Sequence, residues 1–162
     1  MGGACQIGSA DQPVSTTLDG NLTSKHLNFG NMGGPTVYSF AKEVGTGFVV
    51  MPQNDSRLSM IQAFQFGTAI DVPPHDPLVI TIEGSSTNNT TNQLMDSSWN
   101  MIYDGSTGIN ATSDPGRSVY GTLQTVTSPA SYVAYRVLIV AQRASENSIQ
   151  YSEFRLFGYF TN

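Results

Sequence analysis

Apolar and polar residues alternate in short runs along most of this chain, and no window sustains the 3.6-residue spacing of an amphipathic helix. Alternation with period two, rich in β-branched and aromatic residues and closed by Gly, Pro, Asn or Ser, predicts half-buried strands. The runs of this kind are 47–51, 58–67, 78–84, 99–103, 119–126, 132–142 and 148–159. In 58–67, strict alternation puts Leu58, Met60, Phe64 and Phe66 on one face; in 78–84 the inward set is Leu78, Ile80 and Ile82. Run 132–142 is apolar on both faces (Val133, Val137, Ile139; Ala134, Leu138, Val140), as a central strand covered on both sides would be. Arg136 inside it is expected to pair with a carboxylate such as Glu83. A single helical turn is expected around 39–43. Pro73-Pro74 and Pro77 bracket a loop, Asp114-Pro115-Gly116 marks a tight turn, and the polar run 85–92 reads as another loop. With no repeat and no shift in composition, the pattern predicts one all-β antiparallel sandwich over 14–160, behind a flexible leader at 1–13.

Within the last run, alternation from Ser152 to Leu156 sets Phe154 and Leu156 on one side and Glu153 and Arg155 on the other. A carboxylate among apolar neighbours is costly unless exposed, paired or bound to a cation, so Glu153 calls for a partner. The segment 18–29 offers one. Oxygens of Asp19, Asn21 and Ser24, spaced around Gly20, can converge on a hard cation such as calcium, which takes six to eight oxygen ligands. The segment is not an EF-hand, because the later acidic positions and the closing Glu are missing. The same spacing also fits an Asx-turn in which Asp19 and Asn21 satisfy their own backbone.

Composition narrows the function. Of 162 residues only 12% are charged, against 39% hydrophobic, so the polar surface is built from Ser, Thr, Asn and Gln, as in many secreted β-proteins. Net charge is −5, and the seven Lys and Arg are scattered; no basic stripe exists to neutralise phosphates, which excludes nucleic acid as a partner. No apolar run approaches the ~20 residues of a membrane span. The single cysteine, Cys5, permits no intrachain disulfide and reads as an inert or partly exposed residue; a lipid anchor or intermolecular bridge is the lesser alternative. Gln6 stands where myristoylation requires Ser or Thr. No signal peptide is visible, so a secreted origin would make the start a processed boundary. Sequons at Asn21, Asn54, Asn88, Asn89 and Asn110 are expected by chance in a chain this rich in Asn, Ser and Thr.

Catalysis has no signature. Asp71, His75 and Asp76 suggest a metal site or an acid–base pair, but the chain has two histidines and no nucleophile motif, and Asp76 reads more simply as a cap before the strand at 78–84. Twelve acidic residues contain no selected pair for glycoside hydrolysis, and Asp104 and Asp114 sit in turn contexts. The expectation is a protein that is not an enzyme. Sugar sites on sandwiches combine an aromatic platform with a few planar hydrogen-bonding groups. Trp99, Tyr103, Tyr120, Arg117, His26 and His75 are the aromatics and polar groups near loops, and His26, His75, Trp99, Arg117 and Tyr120 are the ligand-binding candidates. For Trp99 the competing reading is a core residue facing inward with Met101.

Asp19-Gly20-Asn21 followed by Ser24-Lys25-His26-Leu27-Asn28-Phe29 resembles the opening of bacterial secreted discoidin-like domains, members of the galactose-binding-like (F5/8 type C, carbohydrate-binding) superfamily. The resemblance continues in order through Thr46-Gly47-Phe48, Thr68-Ala69-Ile70-Asp71, His75-Asp76-Pro77, Glu83-Gly84-Ser85, 99–109, Tyr135-Arg136-Val137 and 147–158, and so covers about residues 14–158. It implies a jelly roll of about eight strands with the N- and C-terminal strands side by side. It also implies a structural calcium ion where the opening loop meets the last strand. Asp19 and Glu153 would supply carboxylates, Ser24 a hydroxyl or carbonyl, and Asn21 a further contact. Ser24 in place of Thr, His26 in place of Tyr or Trp, and His75 in place of Arg depart from the pattern. The function implied is a non-catalytic secreted or cell-surface module that binds carbohydrate or another surface glycoconjugate. The alternative is a building block of an extracellular layer, filament or multidomain protein, contacting other copies of itself or neighbouring domains.

Overall fold

The computed structural model describes residues 12, 14–28, 46–52, 57–89, 96–146 and 148–161. The leader apart from Gln12, Cys5, the expected helical turn at 39–43 and the sequon at Asn54 lie outside the described residues. Ten strands occur among those described: β1 (His26–Asn28), β2 (Gly47–Val50), β3 (Ser59–Gly67), β4 (Pro77–Ser85), β5 (Asn100–Ser106), β6 (Gln124–Thr125), β7 (Ser131–Tyr132), β8 (Ala134–Gln142), β9 (Ile149–Tyr151) and β10 (Glu153–Phe160). All pairings are antiparallel. One sheet runs β2-β8-β4-β5; the other runs β10-β3-β6, with β7 also on β3; β1 and β9 form a separate pair. The first and last parts of the chain therefore do lie side by side.

The core fills the space between the sheets. Phe48, Ile80, Ile82, Ile102, Tyr135, Val137 and Ile139 come from one side and Ile61, Phe64, Phe66 and Phe154 from the other, closed by Ile149 and Tyr151 of β9. The rings meet edge-on or tilted, with Phe64 4.8 Å from Tyr103, Phe66 4.8 Å from Phe154 and Phe66 5.3 Å from Tyr151. Such pairs add about 0.5–1.5 kcal/mol each beyond the area they bury. Tyr103, expected near the surface, is buried in this cluster and donates its hydroxyl to the Ser106 carbonyl at 2.6 Å.

Three expected strands differ in detail. In β3 the buried set is Ile61, Phe64 and Phe66, while Leu58 is exposed and Met60 half-buried. The cause is a bulge: Phe157 pairs with Ala63 and Gly158 with Ile61, leaving Gln62 as an extra residue that resets the phase. Gly158 is required there, since a Cβ would lie 2.1 Å from the Met60 carbonyl oxygen. The run 119–126 shortens to β6 plus a bridge between Tyr120 and Gly67. Its backbone is shared out instead: the Gly121 N–H donates to the Phe66 carbonyl and the Thr122 N–H to the Gly108 carbonyl, both at 2.8 Å. Asp104 lies within β5 rather than in a turn. The pairing of Arg136 with Glu83 is present; the two are register partners, with Nε 2.5 Å from Oε2.

Candidate functional site

Strand register gathers the chemistry-bearing loops at one end of the sandwich. There β3 ends at Gly67 against Glu153, β4 begins at Pro77, and β9 lies beside the loop at 71–76. The first 3-10 turn, Val14–Leu18, leads into the loop at 19–25, where Gly20 takes φ +79°. Asp19 Oδ1 accepts the Asn21 N–H at 2.7 Å, and Asn21 Oδ1 accepts the Thr23 N–H and hydroxyl at 3.0 and 2.7 Å. The Ser24 hydroxyl is 2.9 Å from Asp19 Oδ2 and 2.8 Å from the Asn21 carbonyl oxygen. The Asx-turn reading is thus realised, and the loop reaches the last strand as well, since the Gly20 N–H donates to Glu153 Oε1 at 2.8 Å.

Glu153 is only 2% exposed. Its carboxyl is pushed up by burial and then by the neighbouring Asp19 carboxylate, against the pull of the Gly20 and Asn21 N–H groups. Asp19 is held low chiefly by the Asn21 N–H, with Ser24 and Glu153 adding to it. Two carboxylates in hydrogen-bonding range, beside a serine hydroxyl and a loop carbonyl, make an all-oxygen donor set suited to a hard cation. Asn21 joins through its backbone, because its side-chain oxygen is taken by Thr23. Among the described residues no group of three or more His, Cys, Asp or Glu could hold a metal ion, so the backbone and hydroxyl oxygens would have to complete any shell.

A second polar group lies at the same end, around a carboxylate that is fully buried. Asp76 accepts a fork from Arg117 (Nη1 to Oδ1 2.8 Å, Nη2 to Oδ2 2.7 Å) and a further bond from Arg143 Nη2 at 3.1 Å. Its expected role as a cap is filled by the backbone, whose N–H closes the turn onto the Pro73 carbonyl, while the side chain anchors two arginines. Arg143 also donates to the Pro73, Ala111 and Ser113 carbonyls, and Arg117 to Asp114 at 2.5 Å. Asp114 is held below its ordinary value, mainly by the hydrogen bond from Arg117. Beside them Lys25 Nζ lies 2.7 Å from Asp71 Oδ1 and 3.2 Å from Gln150 Oε1, and Gln150 Nε2 donates to the Asp71 and Val72 carbonyls. Those bonds hold Val72 at φ 43°, a strained setting for a β-branched residue; Ser118, at φ 55°, adjoins Arg117. His75 faces Ser148, with Nδ1 3.0 Å from the hydroxyl, and Glu146, 3.9 Å from Nε2. The trio Asp71–His75–Asp76 thus forms no acid–base pair, because each carboxylate is taken by a basic side chain.

No protein-family model and no curated protein sequence matches this chain. Solved structures do. The family 32 carbohydrate-binding module of Clostridium perfringens NanJ, in complex with galactose, superposes with a TM-score of 0.60 at 10% identity, over 94% of this chain and 90% of that one. The chain with the first and second family 32 modules of C. perfringens ZmpB gives 0.61 at 13% identity, over all of this chain and 34% of that one. The family 62 module of Clostridium thermocellum Xyl5A gives 0.58 at 17% identity, covering 98% and 96%. This chain has the galactose-binding-like fold. In that discoidin-like sandwich the predicted residues separate. Asp19, Ser24 and Glu153 meet at one point, with Asn21 beside them, and His75 and Arg117 stand in the neighbouring polar group. Tyr120 is half-buried on the far flank of Gly67.

His26 and Trp99 do not join them. His26 is fully buried, edge-on to Tyr151 at 5.4 Å with Nδ1 3.0 Å from the Gln12 carbonyl oxygen, and so presents no surface to a ligand. Trp99, at the opposite end of β4 and β8, is 8% exposed, packed with Val133 and Ala134 beneath the Arg136 guanidinium at 4.9 Å. Met101 points outward, so the two do not share a side. Sequence reasoning missed Lys25, Arg143 and Gln150. The available signal was the scarcity of cations, of which Lys25, Arg117, Arg136 and Arg143 each serve a carboxylate.

Proposed function

We propose that this chain is a non-catalytic extracellular module that binds carbohydrate and carries a structural calcium ion between Asp19 and Glu153. The observation that carries the reading is the likeness, over nearly its whole length, to carbohydrate-binding modules, one in complex with galactose and another with GalNAc. Ligand chemistry supports the loop end as the binding surface. The partly exposed His75 and Arg117 are ringed by the exposed carboxylates of Asp71, Asp114 and Glu146, a mixture of planar donors and acceptors matched to sugar hydroxyls. The calcium reading is supported by the all-oxygen set and by a buried carboxylate whose nearest charged neighbour is another carboxylate. The charge-poor surface fits a secreted or cell-surface setting, and no helix among the described residues is long and apolar enough to cross a membrane.

The test is titration calorimetry with galactose and GalNAc, backed by a glycan array. Saturable binding that His75→Ala weakens at least severalfold supports the reading. A second reading, an assembly module without a sugar ligand, is favoured by one feature: Phe157, Tyr159 and Phe160 are exposed along β10, the edge strand of its sheet. Absence of glycan binding together with concentration-dependent oligomers in sedimentation would favour it.

A further inference from the structure

We infer that the outer face of the sheet β10-β3-β6 is a second binding surface, separate from the loop end, for an extended glycan chain that carries uronic acid carboxylates. Strand parity builds it. In β10, Phe154 and Leu156 turn into the core, so Arg155, Phe157 and Tyr159 turn outward. Their register partners on β3 are Gln65, Ala63 and Met60, and Tyr120 bridges Gly67 at the head of the row. The Tyr159 hydroxyl lies 3.3 Å from the Met60 sulfur on that face. Phe157 and Tyr159 are 41% and 51% exposed, where the solvent side of an antiparallel sheet ordinarily shows polar side chains. Phe160 has the opposite parity and lies under the Arg57 guanidinium, so it stands outside the row.

Charge and shape choose the occupant. In a chain of net charge −5, Lys25, Arg117, Arg136 and Arg143 each serve a carboxylate, whereas Arg155 makes no ion pair among the described residues. Its guanidinium carbon lies 3.9 Å from the Tyr120 ring centroid, and the group also acts on the phenol oxygen. Stacking holds the guanidinium plane and leaves N–H groups at its edge for a planar anion, which a carboxylate meets with two parallel bonds. Glu153, the acid on the same side of β10, is withdrawn beneath the opening loop and does not compete. Rings two residues apart on a strand stand about 7 Å apart, so units of one sugar chain can lay their apolar faces on Phe157 and Tyr159. From Tyr120 to Tyr159 the strip measures about 20 Å by about 10 Å, or about 200 Å², against about 800 Å² per side for a stable protein partner. A narrow row of rings headed by an unpaired cation suits an acidic chain molecule rather than a second folded protein.

Calorimetric titration of the protein with a galacturonic acid hexamer and with its methyl ester, at fixed ionic strength, tests this. The acid should bind saturably and the ester roughly tenfold more weakly. Arg155→Gln should lose that same factor for the acid and bring acid and ester level, while Arg155→Lys keeps part of the preference. Tyr159→Ala should weaken both ligands severalfold. His75→Ala should leave acid binding unchanged, which separates this face from the loop end; absence of galactose binding would count against the loop-end reading and leave this one standing. Equal affinity of the parent for acid and ester, or no binding of either, overturns the inference. So does an acid preference that Tyr159→Ala and Phe157→Ala leave at full strength, since that is charge attraction without a platform. Concentration-dependent dimers in sedimentation that Tyr159→Ala abolishes would assign the face to a second copy and overturn it as well.

Discussion

Two carboxylates are withdrawn from solvent at the same end of this sandwich, and they are treated in opposite ways. Asp76 meets two guanidiniums in a forked and a flanking contact. Glu153 meets the Gly20 and Asn21 N–H groups and another carboxylate. The first is internally complete, because its charge is neutralised by arginines that also tie down the loops at 71–76 and 111–117. The second accepts backbone N–H groups and is deficient in positive charge. A buried charge normally keeps a counterion, so the deficiency marks where an external cation would act, while the satisfied pair marks scaffold.

The strongest way to break this comparison is Asp76→Asn. Arg143 would be left without its paired anion and Arg117 with Asp114 alone, and loss of one partner of a buried pair costs about 3–5 kcal/mol; urea unfolding reads it, and a loss below about 1 kcal/mol would mean the arginines find other acceptors. Glu153→Gln should behave in the opposite sense. In EDTA it is expected to be neutral or mildly stabilising, because a like-charge contact is relieved. With calcium at a hundredfold its Kd, the parent gains about 2.7 kcal/mol and the variant gains nothing. An unchanged parent melting temperature in calcium and in EDTA would remove the distinction between the two carboxylates. The smallest effect belongs to Asp71. Burial raises its pKa, but the bond and charge of Lys25 more than reverse this, holding it below the ordinary value. A carboxylate lowered in the fold lends stability that is complete above its ordinary value and is lost as pH falls through the folded one. Lys25→Ala should therefore flatten the acid limb of the stability curve below about pH 4, by under about 1 kcal/mol, since Asp71 is half exposed.

Much of the architecture was written in local pattern. Strands β2, β4, β5, β8 and β10 follow runs in which alternation and turn residues agree, and Arg136 with Glu83 could be paired because both stand alone as charges in apolar strands. Pattern fails where a partner at long range decides. Nothing near Leu58 signals the extra residue at Gln62; the cause is Gly158 on the opposing strand. His26 and Trp99 have polar neighbours in sequence, yet His26 is enclosed by Tyr151 and Trp99 lies under Arg136, contacts made across many residues. The clasp was readable in part, because a lone acidic residue in a strand asks for a partner. Gln150 and Arg143 were not, since an amide and a surface-type cation carry no such demand until the loop at 71–76 is placed against them.

The bulge at Gln62 also bears on which changes of chain length this fold tolerates. Loss of that one residue would let β3 and β10 run as an uninterrupted ladder, and the ladder would gain a hydrogen-bonded pair. Ser59, Met60 and Ile61 would keep their partners Phe160, Tyr159 and Gly158, so Ile61 would stay inside and Met60 outside, in plain alternation with Phe64 and Phe66. A single-codon deletion here would thus make the local pairing continuous and leave inside and outside unchanged along the strand. Substitutions at Gln62, whose side chain is exposed, should be accepted freely, and its removal should cost little beyond the hydrogen bond its carbonyl accepts from the Val126 N–H.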